Sequence, residues 1–446
     1  MRVQILRAAV IAAVPACLTV APVSAQNTTI QDMRNELRQM RQAYESRISA
    51  LESKLQKVAS QNTETQKKSR TASSSRTVHD NSFNPSIGVI LNGKISSFSA
   101  NSSEFLGFAV GEEGERGRKG LAIDESEFNF SANVDDKFHT SSTVAIVRED
   151  GTDNVELEEA YVQTLPGAGL PNGARIKMGR AFWTFGYLNE HHTHADDFMD
   201  RPLPYRAFLN KAFNDDGIEL SWVLPTNFFT EIGGGLFRGD DFPFGGSSGG
   251  AAAWSAFARV GGDIGANQSW RLGAYMLDGS TNGRKSNEDT VTFIGDTRIY
   301  ATDLRYTWAP TGNNRNAEVT MQAEYLHRSE KGTYEDTGAG SGLVGFDDSA
   351  SGWYLQSVYK FHPNWRVGMR YSRLEAPDVP TGLANSVLDS GGHNPEAIAL
   401  MTDWSNSEFS RLRLQYNYEA LSAGNDDHQL MLQYVMSIGA HGAHAF

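Results

Sequence analysis

The chain has 446 residues, a formal charge of −13, 43 glycines, 10% aromatic residues and a single cysteine. An acidic balance argues against a nucleic-acid partner, because binding phosphate backbones needs a basic face. Beyond the N-terminus no apolar run approaches the ~18 residues of a membrane helix, which excludes helical membrane proteins and leaves the abundant aromatics to be accounted for.

The chain opens with Arg2 and Arg7, an apolar stretch from Ala8 to Val20 and a small-x-small site at Val23-Ser24-Ala25. This is the pattern of an export leader, so residues 1–25 read as a signal peptide cut before Gln26. Val14-Pro15-Ala16-Cys17 loosely imitates a lipoprotein box, but Pro15 and the better downstream site argue against it. Loss of Cys17 with the leader would leave no disulfide, thiol nucleophile or thiolate ligand.

Residues 26–60 carry apolar side chains at Ile30, Met33, Leu37, Met40, Tyr44, Ile48, Leu51, Leu55 and Val58. The steps alternate between three and four with one stutter at Tyr44, which predicts a short α-helical coiled coil ~45 Å long whose seam needs partner helices. A lone amphipathic helix is the other reading. Residues 61–85 lose all periodicity and read as a flexible linker.

From Ser86 the period becomes two. Leu412, Leu414, Tyr416 and Tyr418 alternate with Arg411, Arg413, Gln415 and Asn417, and Trp365, Val367, Met369 and Tyr371 alternate with Arg366, Gly368, Arg370 and Ser372. Such strands have one apolar and one polar face. Strands are expected at residues 86–98, 121–134, 137–149, 154–164, 173–182, 215–224, 227–237, 252–262, 267–278, 297–309, 315–328, 350–361, 363–375, 397–404, 408–418 and 428–440. Short polar turns such as Asp135-Asp136 and His362-Pro363 alternate with long stretches at residues 101–120, 183–214 and 329–349. The pattern predicts an all-β fold: residues 86–446 as a transmembrane antiparallel β-barrel of about sixteen strands, with apolar faces toward lipid. Phe446 falls in the lipid-facing phase of the last strand.

On this architecture the chain resembles Gram-negative outer-membrane porins with an N-terminal periplasmic coiled coil, such as the phosphate-selective and dicarboxylate-type porins. Asn84-Pro85-Ser86-Ile87 with Leu91-Asn92-Gly93, the stretch from Ser407 to Asn417, and the ending from Gly439 to Phe446 also look like outer-membrane proteins linked to zinc-regulated uptake. A TonB-dependent transporter would need about 22 strands and a plug, which this sequence does not supply. The resemblance implies an outer-membrane homotrimer with the coiled coil in the periplasm, possible peptidoglycan contact by that coil, and a third outer loop folded into the pore.

Here the third long connection, residues 183–214, contains His191, His192, His194, Asp196, Asp197, Asp200, Arg201 and Arg206, with Pro202 and Pro204 to stiffen it. Three readings stay open. Asp196, Asp197, Asp200, Arg201 and Arg206 form a pore constriction facing wall arginines. Alternatively His191, His192 or His194 bind zinc transiently with Asp196 or Asp197, or the charges only stitch the loop to the wall. Three imidazoles would change the local charge below pH ~6.5. Strand phase sends Arg175, Lys177, Arg271, Arg366, Arg370, Arg411 and Arg413 into the lumen as a basic wall, opposite Glu125, Glu127, Glu219, Asp303, Glu318 and Glu324. His441 and His444 lie apart, at the end of the last strand.

The leading expectation is passive diffusion of small hydrophilic solutes or ions. A zinc or metal-complex channel is the alternative within transport, and a cell-wall anchor or an outer-membrane enzyme the alternative of another class. No catalytic residues are expected: the chain has no G-x-S-x-G and no H-E-x-x-H. No cofactor is expected beyond transient zinc.

Overall fold

The computed structural model describes residues 85–149, 152–246 and 250–439. The expected leader, coiled coil and linker, together with His441, His444 and Phe446, lie outside the described residues.

Alternation of side chains generates the fold directly. On β16 (Ser410–Ser422) Leu412, Leu414 and Tyr416 are exposed while Arg411, Arg413 and Gln415 between them are buried. The same inversion of a soluble core runs round the sheet, with Leu432, Leu355, Leu304 and Leu220 facing out. An apolar outer surface of this kind is what contact with lipid requires. Trp222, Phe229, Trp308, Phe361, Trp365 and Trp404 are exposed at strand ends on one rim, the position of an interfacial aromatic girdle.

All pairings are antiparallel, and β1 (Ser86–Phe98) closes the sheet by pairing with β17 (Asn425–Gly439), from Gly88 opposite Gly439 to Phe98 opposite Gln429. Seventeen hydrogen-bonded segments make up the sheet. Two of them, β2 (Gly120–Ile123) and β3 (Ser126–Asn133), pair with successive halves of β1 and form one stave, so the barrel has sixteen. The break falls at Asp124-Glu125, where the main chain leaves the ladder and Lys94 meets Asp124 at 2.9 Å.

The expected alternation of short and long connections needs correction on one wall. Residues 329–349 are mostly strand: β12 (Glu318–Asp336) and β13 (Val344–His362) stay paired through Tyr334 opposite Val344. β10 (Gln268–Ser286) and β11 (Val291–Trp308) are extended likewise, leaving only residues 287–290 between them. Nineteen-residue strands are ~60 Å long, well beyond an apolar band ~25 Å tall, so their ends rise clear of the lipid. Long connections on the same rim do occur at residues 99–119, between β6 (Ala174–Phe182) and β7 (Asn214–Val223), and between β14 (Trp365–Glu375) and β15 (Glu396–Ser407).

A lumen lined only by water and polar groups would have no apolar core. This barrel has one inside it: Phe105, Phe108, Trp183, Phe185, Tyr205, Phe208, Phe213 and Phe244 pack with inward residues such as Phe237, Leu277, Ile299 and Leu326. Loops therefore fill part of the interior, held there by the same hydrophobic burial that folds a soluble domain.

Candidate functional site: the third loop inside the barrel

Residues 183–213 join β6 to β7 and turn into the lumen. Their neck is tied by Asn189, whose Nδ2 donates to the carbonyls of Trp183 and Phe213 at 2.8 and 2.9 Å and whose Oδ1 accepts the Phe213 N–H at 2.5 Å. Gly186 follows with a φ of 72°, and a Cβ there would collide with the Tyr205 hydroxyl and with Glu324. Glu324, on the inner face of β12, accepts the Tyr187 N–H (3.0 Å), the Leu188 N–H (3.3 Å) and the hydroxyls of Tyr205 (2.9 Å) and Tyr354 (2.5 Å). The loop is thus anchored to the far wall as well as to its own strands.

The loop also contains a helix that the sequence reading missed. α1 (Leu203–Leu209) has every residue buried, a proline in its first turn and Asn210 in the left-handed conformation as its C-cap. Pro204 suits the first turn because that N–H has no helical partner. The missed signal was Leu203, Tyr205, Phe208 and Leu209, an apolar set too dense for a solvated loop.

Each expected constriction residue has a specific partner. Asp196 pairs with Arg201 at 2.6 Å, Asp197 with Arg366 at 2.8 Å and Asp200 with Arg370 at 2.8 Å. Arg201 also donates to the carbonyls of Leu188 (2.8 Å) and His191 (2.5 Å), so it braces the loop internally. Arg206 lies 2.6 Å from Glu419 and donates to the Gly114 carbonyl at 2.8 Å, linking α1 to the first long connection.

The expected basic wall is engaged in the same way. Arg366 binds Asp403 at 2.5 Å in addition to Asp197. Arg370 donates to the main-chain oxygen of Asp200 at 2.6 Å, Arg411 to that of His194, and Arg413 to that of Asp196 at 2.6 Å. Four arginines of β14 and β16 therefore seat residues 194–200. Lys177 donates to the Phe182 carbonyl at 3.2 Å, and Arg271 pairs with Asp303 at 3.3 Å while covering the Tyr187 ring. Arg175 is half-buried on β6 opposite Ser221.

The three histidines separate. His191 packs against Tyr187, with ring centroids 4.9 Å apart. His192 and His194 turn to the opposite wall and meet Glu127 of β3, at 3.2 and 2.6 Å from Nδ1 in each case. Asp196 and Asp197 pair with arginines, and His192 and His194 sit with Glu127 rather than with either aspartate.

His191 and His192 also titrate in opposite directions. Burial and the Arg201 guanidinium push His191 down to about 4. Burial also opposes charge on His192, but Glu127, Glu158 and Glu159 outweigh it and raise this imidazole well above its usual value. Neither matches the common change near pH ~6.5 expected from free imidazoles.

Loop 3 stands between two cavities. One of about 840 Å³ lies toward the long connections and is lined by eleven carboxylates, including Glu112, Asp124, Glu158 and Asp200, against six Lys and Arg side chains. The other, about 680 Å³, opens toward the short turns at Asn364 and Glu408 and is lined by His191, Asp196, Asp197, Arg305 and Arg366. Thr193, Met199, Asp200 and Arg201 face the first, and Leu188, His191, Ala195, Asp196 and Asp197 the second.

No family model matches the chain. An uncharacterized protein of Aquifex aeolicus (strain VF5) is 28% identical over 355 residues, covering 75% of this chain and 72% of that protein. Among solved structures the chain is similar to Pseudomonas putida OprB at high pH, with 10% identity, 81% of this chain and 95% of that one covered, and a TM-score of 0.49. It is also similar to the outer membrane channel DcaP of Acinetobacter baumannii, with 13% identity, 80% and 97% covered, and a TM-score of 0.49. Salmonella typhi OmpF in complex with daunomycin has 11% identity, 81% and 99% covered, and a TM-score of 0.48.

Proposed function

We propose that this chain is an outer-membrane porin, a passive channel for small hydrophilic solutes or ions in which loop 3 is the constriction. The observation that carries the reading is the position of residues 188–201 between two charged cavities inside one closed barrel. A solute crossing the barrel would pass charges held by their ion-pair partners rather than by mobile side chains. The larger cavity sets eleven carboxylates against six Lys and Arg side chains, and that excess favours cations.

The homotrimer belongs to the same proposal. It is supported by the a/d seam of residues 30–58, which needs partner helices and would be satisfied by its copies. Wall contact through that coil is compatible with it.

Reconstitution into planar bilayers tests the channel. Discrete conductance steps are expected, with a reversal potential in asymmetric potassium chloride on the cation-selective side, larger at low salt because screening is weaker. Absence of steps from refolded, heat-modifiable barrel would refute the reading.

A further inference from the structure

We propose that Glu127, His192 and His194 form a binding site for a zinc-type divalent cation, with Glu158 placed to complete it. The ligand atoms of the first three all lie within 4.8 Å of one another, and all three residues are buried. Glu158 Oε2 lies 3.4 Å from His192 Nδ1 and belongs with Glu127 to a second converging group. The set comes from three places in the chain: β3, β5 (Thr152–Thr164) and loop 3.

Donor chemistry selects the cation. Two imidazoles and one or two carboxylates suit zinc and its first-row neighbours, whereas calcium and magnesium prefer oxygen alone. Tetrahedral ligand atoms at zinc stand ~3.4 Å apart, from bonds of ~2.1 Å. His192 Nδ1 stands near that spacing from Glu127 Oε2, at 3.2 Å, and from Glu158 Oε2, at 3.4 Å, while His194 Nδ1 meets the other Glu127 oxygen, Oε1, at 2.6 Å and would have to draw back.

The surroundings point the same way. Glu159 Oε2 lies 2.9 Å from His192 Nε2, so it can accept a hydrogen bond from the ring nitrogen that faces away from Glu127. This carboxylate–imidazole arrangement orients and strengthens a metal-bound histidine. Glu125 is compensated by Lys211 at 3.3 Å and by the Thr193 hydroxyl at 3.1 Å, and it shares a hydrogen bond with Glu158 that a bound cation would replace. Thr193 and Glu158 line the larger cavity, which provides an approach for the ion. A bound cation would join loop 3 to the β3–β5 wall, in addition to the β14 and β16 arginines that hold residues 194–200.

Zinc binding does not depend on conduction, so its test and that of the channel succeed or fail separately. Detergent-solubilised full chain, stripped with chelator, is titrated with zinc against a chromophoric chelator, and the zinc edge is examined by X-ray absorption. The wild type is expected to bind one zinc per chain, with two imidazoles and oxygen in the first shell, and calcium is not expected to compete. The double variant H192A/H194A should lose this affinity, and E159Q should weaken it by about 10- to 100-fold, the usual effect of losing an outer-shell carboxylate. Retained heat-modifiable migration on gels controls for folding, and the absorption spectrum of the wild type tests the ligand set without any variant. No zinc bound by the wild type, a first shell without imidazole, or unchanged affinity in the folded double variant would overturn the proposal.

Discussion

Arg370 on β14 grips Asp200 in loop 3 twice, donating to its main-chain oxygen at 2.6 Å and to Oδ2 at 2.8 Å. Asp200 accepts further hydrogen bonds from Gln415 and, at 3.3 Å, from Asn417, so one loop carboxylate spans β14 and β16. Removing one partner of a fully buried ion pair costs about 3–5 kcal/mol, and this pair should cost less because Asp200 is partly exposed to the larger cavity. Arg370→Gln should therefore destabilise the barrel measurably in urea. It should also make the open-channel current noisier as residues 194–200 loosen. A current trace as quiet as the wild type would show that this grip does not position the loop.

The pH dependence of that grip has a definite sign. Burial alone would raise the Asp200 carboxyl, but Arg370 and Arg206 outweigh it and hold it below the usual aspartate range. A group with a depressed folded pKa contributes stability above its unfolded value of ~3.9 and loses it as pH falls through the folded value. The stability difference between wild type and Asp200→Asn should thus be constant from neutral pH to about pH 5 and shrink below about pH 4. A difference that changed instead between pH 6 and 7 would assign the coupling to another group.

Combined replacement of Arg366, Arg370, Arg411 and Arg413 by Gln distinguishes an anchoring wall from a selectivity wall. Their guanidiniums hold Asp197, Asp200 and the carbonyls of His194 and Asp196, so the expected result is a rise in single-channel conductance as the loop leaves its seat. A moved reversal potential with unchanged conductance would mean that these charges act on permeating ions directly.

Gly186 tests the neck of the loop. With a φ of 72° and Tyr205 and Glu324 in the space of a Cβ, Gly186→Ala should cost several kcal/mol through backbone strain and the displaced hydrogen bonds. Gly340 also has a positive φ, 69°, but open space around it, so Gly340→Ala should be milder. Parallel thermal unfolding by gel shift compares the two, and equal effects would show strain alone to be responsible.

Deletion of residues 26–60 tests the coiled-coil seam. Native mass measurement in detergent is expected to show three copies for the whole chain and a weakened assembly for the truncated one, with conductance per barrel retained. One-copy mass for the whole chain would remove the trimer.

The barrel was legible in the sequence wherever a strand crosses lipid. There one face must be apolar and the other polar, so Leu412, Arg413, Leu414 and Gln415 declare both the strand and its inward side. The signal ends where the lipid ends: residues 279–286 continue β10 with Gly, Ser, Thr, Asn, Arg and Lys, and have no hydrophobic contrast to read. Composition also marked loop 3 as the charged centre of the molecule. Which charges meet was a matter of tertiary structure alone. Asp196, Asp197 and Asp200 are near neighbours in sequence, yet each found a different arginine, and only the inward fold of loop 3 brings His192 and His194 within reach of Glu127. A strand's period fixes which face a side chain takes, but its partner across a lumen depends on register and on where a folded loop comes to rest.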